Sequence, residues 1–169
     1  MEIECSSRSA FETKKIGRIL GQELRVTKDK QKAHILGLKG DLGGGKTTFL
    51  QGLAKGLGIK EKVLSPTFVI LKKFEIPTLK RRDSIKSTRG QVLKFKNFYH
   101  IDCYRVKNRK EIDNLALEEI INCPQNIVAI EWAARLAKIL PKDTIFINFK
   151  FISKEKRKII FSWPKKNGS

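Results

Sequence analysis

The chain has 169 residues, 40% hydrophobic and 31% charged; that suffices for one packed domain, leaves too little for two, and excludes wholesale disorder. Lysine and arginine number 36 against 17 acidic residues, a formal charge of +19, so the surface favours polyanions: nucleic acid, nucleotides, acidic membrane or an acidic protein. Three cysteines without a CxxC pair argue against a disulfide framework and a structural zinc site, and no uncharged apolar run approaches the ~20 residues of a membrane span.

In chain order, Met1-Glu2-Ile3-Glu4 lacks the basic and apolar regions of a signal peptide, so a cytoplasmic protein is expected. Ser9-Ala10-Phe11-Glu12 reads as a capping box, and Ile16, Ile19, Leu20 and Leu24 give residues 10–24 one buriable helical face. Charged residues 28–32 form a loop. Ala33 to Leu38 is an apolar run suited to a central parallel strand. A glycine-rich turn follows, then Phe49, Leu50, Leu53 and Leu57 at helical spacing, with Gly58 as terminator.

Val69-Ile70-Leu71 predicts the next strand. Within residues 72–96 there are nine Lys/Arg and two Asp/Glu, so this stretch reads as a long basic hairpin or loop. Phe98 to Asp102 predicts a strand, Glu111 to Ile121 an amphipathic helix, and Asn126 to Glu131 a second buried strand ending in an acid. Trp132 to Leu140 reads as helical until Pro141 stops it. Residues 144–151 and 156–163 alternate as a closing antiparallel hairpin, and the Pro-Lys-Lys-Asn-Gly-Ser end is expected to fray. The sum is one α/β domain over residues 1–169: a mostly parallel sheet flanked by helices, with a basic insert at about 75–96 and a basic tail.

Gly40-Asp41-Leu42-Gly43-Gly44-Gly45-Lys46-Thr47 matches the P-loop pattern G-x-x-x-x-G-K-[ST] in full, between a predicted strand and a predicted helix. The glycines let backbone amides approach phosphate oxygens, and the helix N-terminus adds unpaired donors and partial positive charge. Lys46 reaches the β- and γ-phosphates as a point charge, and the Thr47 hydroxyl suits Mg2+. Such a site also needs an acid at a strand end; Asp102 and Glu131 are the two candidates.

Four motifs together resemble the TsaE (YjeE) family of bacterial tRNA threonylcarbamoyladenosine (t6A) synthesis. They are Gly40 to Phe49, close to the family's G-D-L-G-A-G-K-T-T-F; Ser65-Pro66-Thr67-Phe68; Tyr99-His100-Ile101-Asp102-Cys103-Tyr104-Arg105; and Ile130-Glu131-Trp132. The resemblance implies a P-loop ATPase that binds ATP or ADP with Mg2+ and supports the turnover of a TsaB–TsaD complex. It assigns the phosphates to Asp41, Leu42, Gly43, Gly44, Gly45, Lys46, Thr47 and Thr48, and the metal to Thr47 and Glu131. Thr67 becomes the γ-phosphate sensor of a switch-like loop, and Asp102 orients the attacking or a metal-bound water. Lys46, Asp102 and Glu131 thus form the catalytic set. Trp132 reports nucleotide or partner, and Phe11 and Thr13 near the helix start help to hold adenine. The chain departs from the family in its longer, more basic 75–96 stretch and in Ala133, where proline is common.

Several readings stand beside these. Trp132 also suits a half-buried packing role, His100 a hydrogen-bonded structural one, and Tyr104 and Arg105 packing and capping. The basic insert and Lys154, Lys156, Arg157 and Lys158 are suited to tRNA phosphates, or form a solvated lysine-rich face. The rival functions are a P-loop small-molecule kinase, with the insert as lid, and a nucleotide-dependent RNA-binding module. The motifs contain no obvious arginine finger, so slow hydrolysis by the isolated protein is expected.

Overall fold

The computed structural model describes residues 1–27, 31–64, 71–78, 95–106, 111–112 and 115–164. Thr67 with the rest of Ser65–Phe68, most of the basic stretch, and the tail from 165 onward lie outside the described residues.

Seven strands form one sheet in the order β1-β7-β6-β2-β5-β4-β3. The strands are β1 (Glu2–Ser7), β2 (His34–Gly40), β3 (Leu71–Glu75), β4 (Asn97–Asp102), β5 (Asn126–Glu131), β6 (Ile145–Phe151) and β7 (Arg157–Ser162). The central four, β6, β2, β5 and β4, run parallel; on one side β7 pairs antiparallel with β6 and β1 antiparallel with β7, and on the other β3 pairs antiparallel with β4. Among the described residues the helices α1 (Ala10–Val26), α2 (Lys46–Gly56) and α3 (Leu117–Asn122) complete the framework.

The expected α/β class, mostly parallel sheet and closing hairpin are therefore present. Burial explains why the central strands read as unbroken apolar runs: every residue of β5 is buried, and β2 is buried from His34 to Leu38. Alternate side chains serve two cores. Leu36, Leu38, Ile127 and Ala129 join Phe49, Leu50 and Leu53 of α2, whereas Ile35, Val128 and Ile130 join Leu117 and Ile121 of α3. Each fully buried Leu or Phe there is worth about 1.5–3 kcal/mol relative to exposure.

The Ser9 half of the capping box forms as expected, and the Glu12 half shifts one residue back, to Arg8. Ser9 Oγ accepts from the Glu12 amide at 3.1 Å, and Glu12 Oε2 accepts from the Arg8 amide at 2.7 Å. Helix α1 then lies directly on α2. A Cβ at Gly17 would stand 2.2 Å from the Phe49 carbonyl oxygen, and one at Gly52 2.0 Å from that of Lys14, so side-chain-free positions set the approach.

Four expectations change, the first being the helix read over Glu111–Ile121, which left-handed Ala116 interrupts so that α3 begins at Leu117. The strand read at 69–71 is described from Leu71 onward, as β3. Strand β1 was not expected; its six residues carry only Ile3 and Cys5 as apolar groups, and β7 supplies its pairing partner. The helix expected over Trp132–Leu140 is reduced to a 3-10 turn at Ala133–Leu136. Trp132 sits at φ 59°, ψ 35°, a left-handed conformation that breaks the helical path at its first residue.

Candidate functional site

The C-terminal ends of β2, β4 and β5 converge, the edge of a parallel sheet where open α/β folds bind ligands. Strand β2 delivers the P-loop, which turns into α2 through Gly43 at φ 72° and Gly45 at φ 98°, backbone conformations that a side chain resists. Gly44 N–H donates to the Asp41 carbonyl at 3.0 Å and closes the turn.

Lys46 is buried, and its Nζ donates to the carbonyls of Gly40 (2.9 Å) and Asp41 (2.8 Å). Burial pushes its ammonium below the usual lysine range, and the Glu131, Asp102 and Asp41 carboxylates act in the opposite direction. The Trp132 ring lies 4.2 Å below the same ammonium and packs against Tyr104, with 5.1 Å between ring centroids. Trp132 thus has positive φ and its ring on Lys46, which fits its half-buried packing reading.

Thr47 opens α2 on the same side. Its hydroxyl donates to Glu131, 3.0 Å from Oε1 and 3.3 Å from Oε2. Glu131 is buried at the end of β5, and His100 Nε2 lies 2.9 Å from its Oε1. Parallel pairing sets Asp102 level with Glu131, and alternation along β4 puts His100 and Asp102 on one face. Asp102 is half-buried, and its Oδ1 accepts from the Tyr104 amide at 2.9 Å. Two hard oxygen donors, the Thr47 hydroxyl and the Glu131 carboxylate, stand side by side beside the phosphate-binding turn. That is the small protein share a Mg2+ carried largely by substrate phosphates requires, so these residues fit the group.

Of the remaining expected residues, Thr67 lies outside the described residues, and the others are placed as follows. Leu42 is exposed at the loop tip, and Thr48 is half-buried in α2. Phe11 is exposed at the start of α1. Thr13 is buried, its hydroxyl 2.8 Å from Ser7 Oγ and donating to the Ser9 carbonyl at 3.2 Å. A Cβ at Gly45 would meet the Thr13 methyl at 3.7 Å, so Thr13 backs the P-loop through its apolar edge.

Arg157, at the start of β7, is an addition that spacing did not single out for the P-loop. Its Nη2 donates to the Gly43 carbonyl at 3.1 Å, while Nη1 donates to the Ser153 (2.6 Å) and Lys156 (3.0 Å) carbonyls. It ties the β6–β7 turn to the phosphate loop. The residue stands 114 positions from its partner, and only the pairing of β7 with β6 brings it there.

Comparison with known proteins bears directly on this geometry. The family model described as "Threonylcarbamoyl adenosine biosynthesis protein TsaE" matches residues 7–159. The chain belongs to the TsaE family. It is 30% identical over 157 residues to the tRNA threonylcarbamoyladenosine biosynthesis protein TsaE of Treponema pallidum, covering 93% of this chain and 98% of that one. Its identity to the Bacillus subtilis protein of the same name is 35% over 128 residues, 76% of this chain and 68% of the relative. The crystal structure of Bacillus subtilis YdiB superposes with a TM-score of 0.67 at 25% identity, covering 97% of this chain and 86% of that one. Among the described residues no helix is long and apolar enough to cross a membrane.

Proposed function

We propose that this TsaE-family chain is a single-domain, cytoplasmic Mg2+-dependent ATPase of tRNA t6A biosynthesis, acting with TsaB and TsaD to sustain their turnover. The observation that carries the reading is the Thr47–Glu131 hydrogen bond, which joins the phosphate-binding helix to the acid of the adjacent buried strand.

The chain's own residues divide the work. Amides of residues 41–48 hold the phosphates, and Lys46 leaves the Gly40 and Asp41 carbonyls to meet the β- and γ-phosphates. Thr47 and Glu131 would hold a Mg2+, which would supply neutralisation of the phosphate charge. Asp102, half-buried and level with Glu131, accepts a hydrogen bond from the attacking water and orients it. Thr67 senses the γ-phosphate, Phe11 and Thr13 flank the adenine, and Trp132 covers the Lys46 side.

The test is phosphate release from Mg·ATP by wild type and Lys46→Ala, with and without a TsaB–TsaD pair. Slow release, raised by the pair and lost in the variant, is expected. Tight nucleotide binding with no release under any condition overturns the ATPase and favours a kinase awaiting its acceptor; undiminished release by Lys46→Ala removes the P-loop from the chemistry.

Contact with tRNA phosphates is the second reading. It is supported by exposed Lys150 near the end of β6 and exposed Lys154 and Lys156 on the β6–β7 turn, which Arg157 holds beside the P-loop. Changing the three lysines to glutamate is expected to weaken tRNA association and flatten its salt dependence, read by filter binding across a salt series. Unchanged binding refutes it.

A further inference from the structure

His100 is fully buried at 0% exposure, yet it is joined to the most polar point of the interior. Nε2 meets Glu131 Oε1 at 2.9 Å, whereas Nδ1 is buried with no hydrogen-bond partner among the described residues. An N–H at Nδ1 would be a buried donor without an acceptor, which costs about 1–3 kcal/mol. The favoured tautomer therefore carries its proton on Nε2 and donates it to the carboxylate, leaving Nδ1 as a bare lone pair against the apolar face.

Glu131 Oε1 thus accepts from two donors, the Thr47 hydroxyl at 3.0 Å and His100 Nε2–H. These two are not equivalent. Thr47 sits on α2 beside the P-loop, and its oxygen is the one that would turn toward a cation. His100 sits on β4 inside the sheet and has no alternative partner within reach. It is the contact that Glu131 keeps when Thr47 turns away. The bond also links β4 to β5 two residues before Asp102, so it fixes the end of the strand that carries the second acid.

We propose that His100 is a positioning residue for Glu131. Its Nε2–H holds the carboxylate in the orientation that receives the divalent cation, and so sets the cation affinity of the nucleotide site without touching nucleotide. The inference rests on the Mg2+ reading given above. The expected hydrogen-bonded structural histidine is present, and the proposal gives that hydrogen bond a specific task.

The experiment separates metal from nucleotide. A fluorescent, non-hydrolysable ATP analogue is titrated into the full chain in EDTA and across a Mg2+ series, for wild type, His100→Phe, His100→Gln and His100→Asn. Glutamine places an amide N–H close to the Nε2 position, whereas asparagine falls short of it. The Mg2+ concentration giving half of the tightening is expected to rise by about tenfold in His100→Phe and His100→Asn, the range seen when a group supporting a metal ligand is lost. Affinity in EDTA is expected to stay as in wild type, and His100→Gln to recover most of the Mg2+ response.

Two results overturn the proposal: an unchanged Mg2+ midpoint in His100→Phe and His100→Asn, or an EDTA affinity that falls in step with the Mg2+ one. If His100→Phe does not fold, the comparison of glutamine with asparagine, two amides differing by one methylene, decides alone. A wild type indifferent to Mg2+ overturns the metal reading itself and this inference with it. That result is distinct from a responsive wild type whose variants respond alike.

Discussion

The two faces of the sheet are built by opposite means. On one face α1 and α2, long and regular, lie so close that glycines at the crossing stand against the opposing backbone. On the other, a six-residue helix, a four-residue 3-10 turn and two non-glycine residues with positive φ, Ala116 and Trp132, cover the strands. The regular face carries the phosphate loop at the start of α2; the irregular face begins where the acid-bearing strands β4 and β5 end. Rigid packing suits a loop whose amides must be preorganised. Short, strained elements suit the region where acids and an aromatic ring must be aimed individually.

The largest expected effect separates chemistry from architecture. Glu131→Gln keeps the side-chain shape and an acceptor for His100 and Thr47 but removes the charge. Turnover is expected to fall by about 10²-fold or more, on the scale of losing a catalytic acid or base, while the thermal midpoint stays near that of wild type. Phosphate release and a melting curve on one preparation check both halves; a large drop in Tm would instead make Glu131 part of the architecture.

Next comes the regular face. Glycine to alanine within an exposed helix is ordinarily stabilising by roughly 1 kcal/mol. At Gly52 the added methyl meets the Lys14 carbonyl, so Gly52→Ala is expected to lose about 1–3 kcal/mol, read as a lower urea midpoint. A neutral outcome would show that the helix pair can separate, and the contrast between the faces would fail.

The irregular face predicts the reverse sign. Ala116 is exposed at φ 49°, ψ 36°, so Ala116→Gly removes left-handed strain and is expected to gain up to about 1 kcal/mol. Equilibrium unfolding reads this directly, and a loss would mean that the alanine methyl is needed there.

The smallest effect concerns Cys103, which lies under the irregular face. Burial, with Asp102 adding to it, pushes its thiol up to about 12, while Arg135 opposes. Cys5 and Cys123, both half-buried, are expected to react with a thiol reagent at pH 8 before Cys103. The unfolded thiol ionises first, so this group's contribution is intact below pH 9 and is lost as pH rises toward 12. A Cys103→Ala variant should show a shallower alkaline loss of stability. Labelling of Cys103 as fast as that of Cys5 would reveal local opening of the irregular face.

Much of this was legible in the residues, because local rules and tertiary demands agreed. The P-loop sits between its strand and helix, Ser9 and Glu12 cap α1, and the apolar runs of β2 and β5 became buried parallel strands. What remained hidden depended on long-range pairing. Strand β1 lacks an apolar signature and exists through its pairing with β7, and Arg157 reaches Gly43 through the pairing of β7 with β6. Trp132–Leu140 has helical spacing, yet the position of the Trp132 ring over Lys46 overrides it. For His100, strand alternation shows a shared face with Asp102, but the register between β4 and β5 that brings it to Glu131 cannot be read from either strand alone.

The pairing of the first strand with the last has a bearing on biogenesis. Strand β2, which feeds the nucleotide loop, has β6 as one of its two neighbours, and the guanidinium bracing Gly43 is part of β7. As the polypeptide leaves the ribosome, the loop emerges about a hundred residues ahead of these supports, a delay of several seconds at ordinary elongation rates. Nascent chains therefore carry a complete phosphate-binding motif that has no finished sheet behind it. A truncated product that stops short of β7 is expected to lack the Arg157 brace of Gly43 and to leave β1 without its pairing strand.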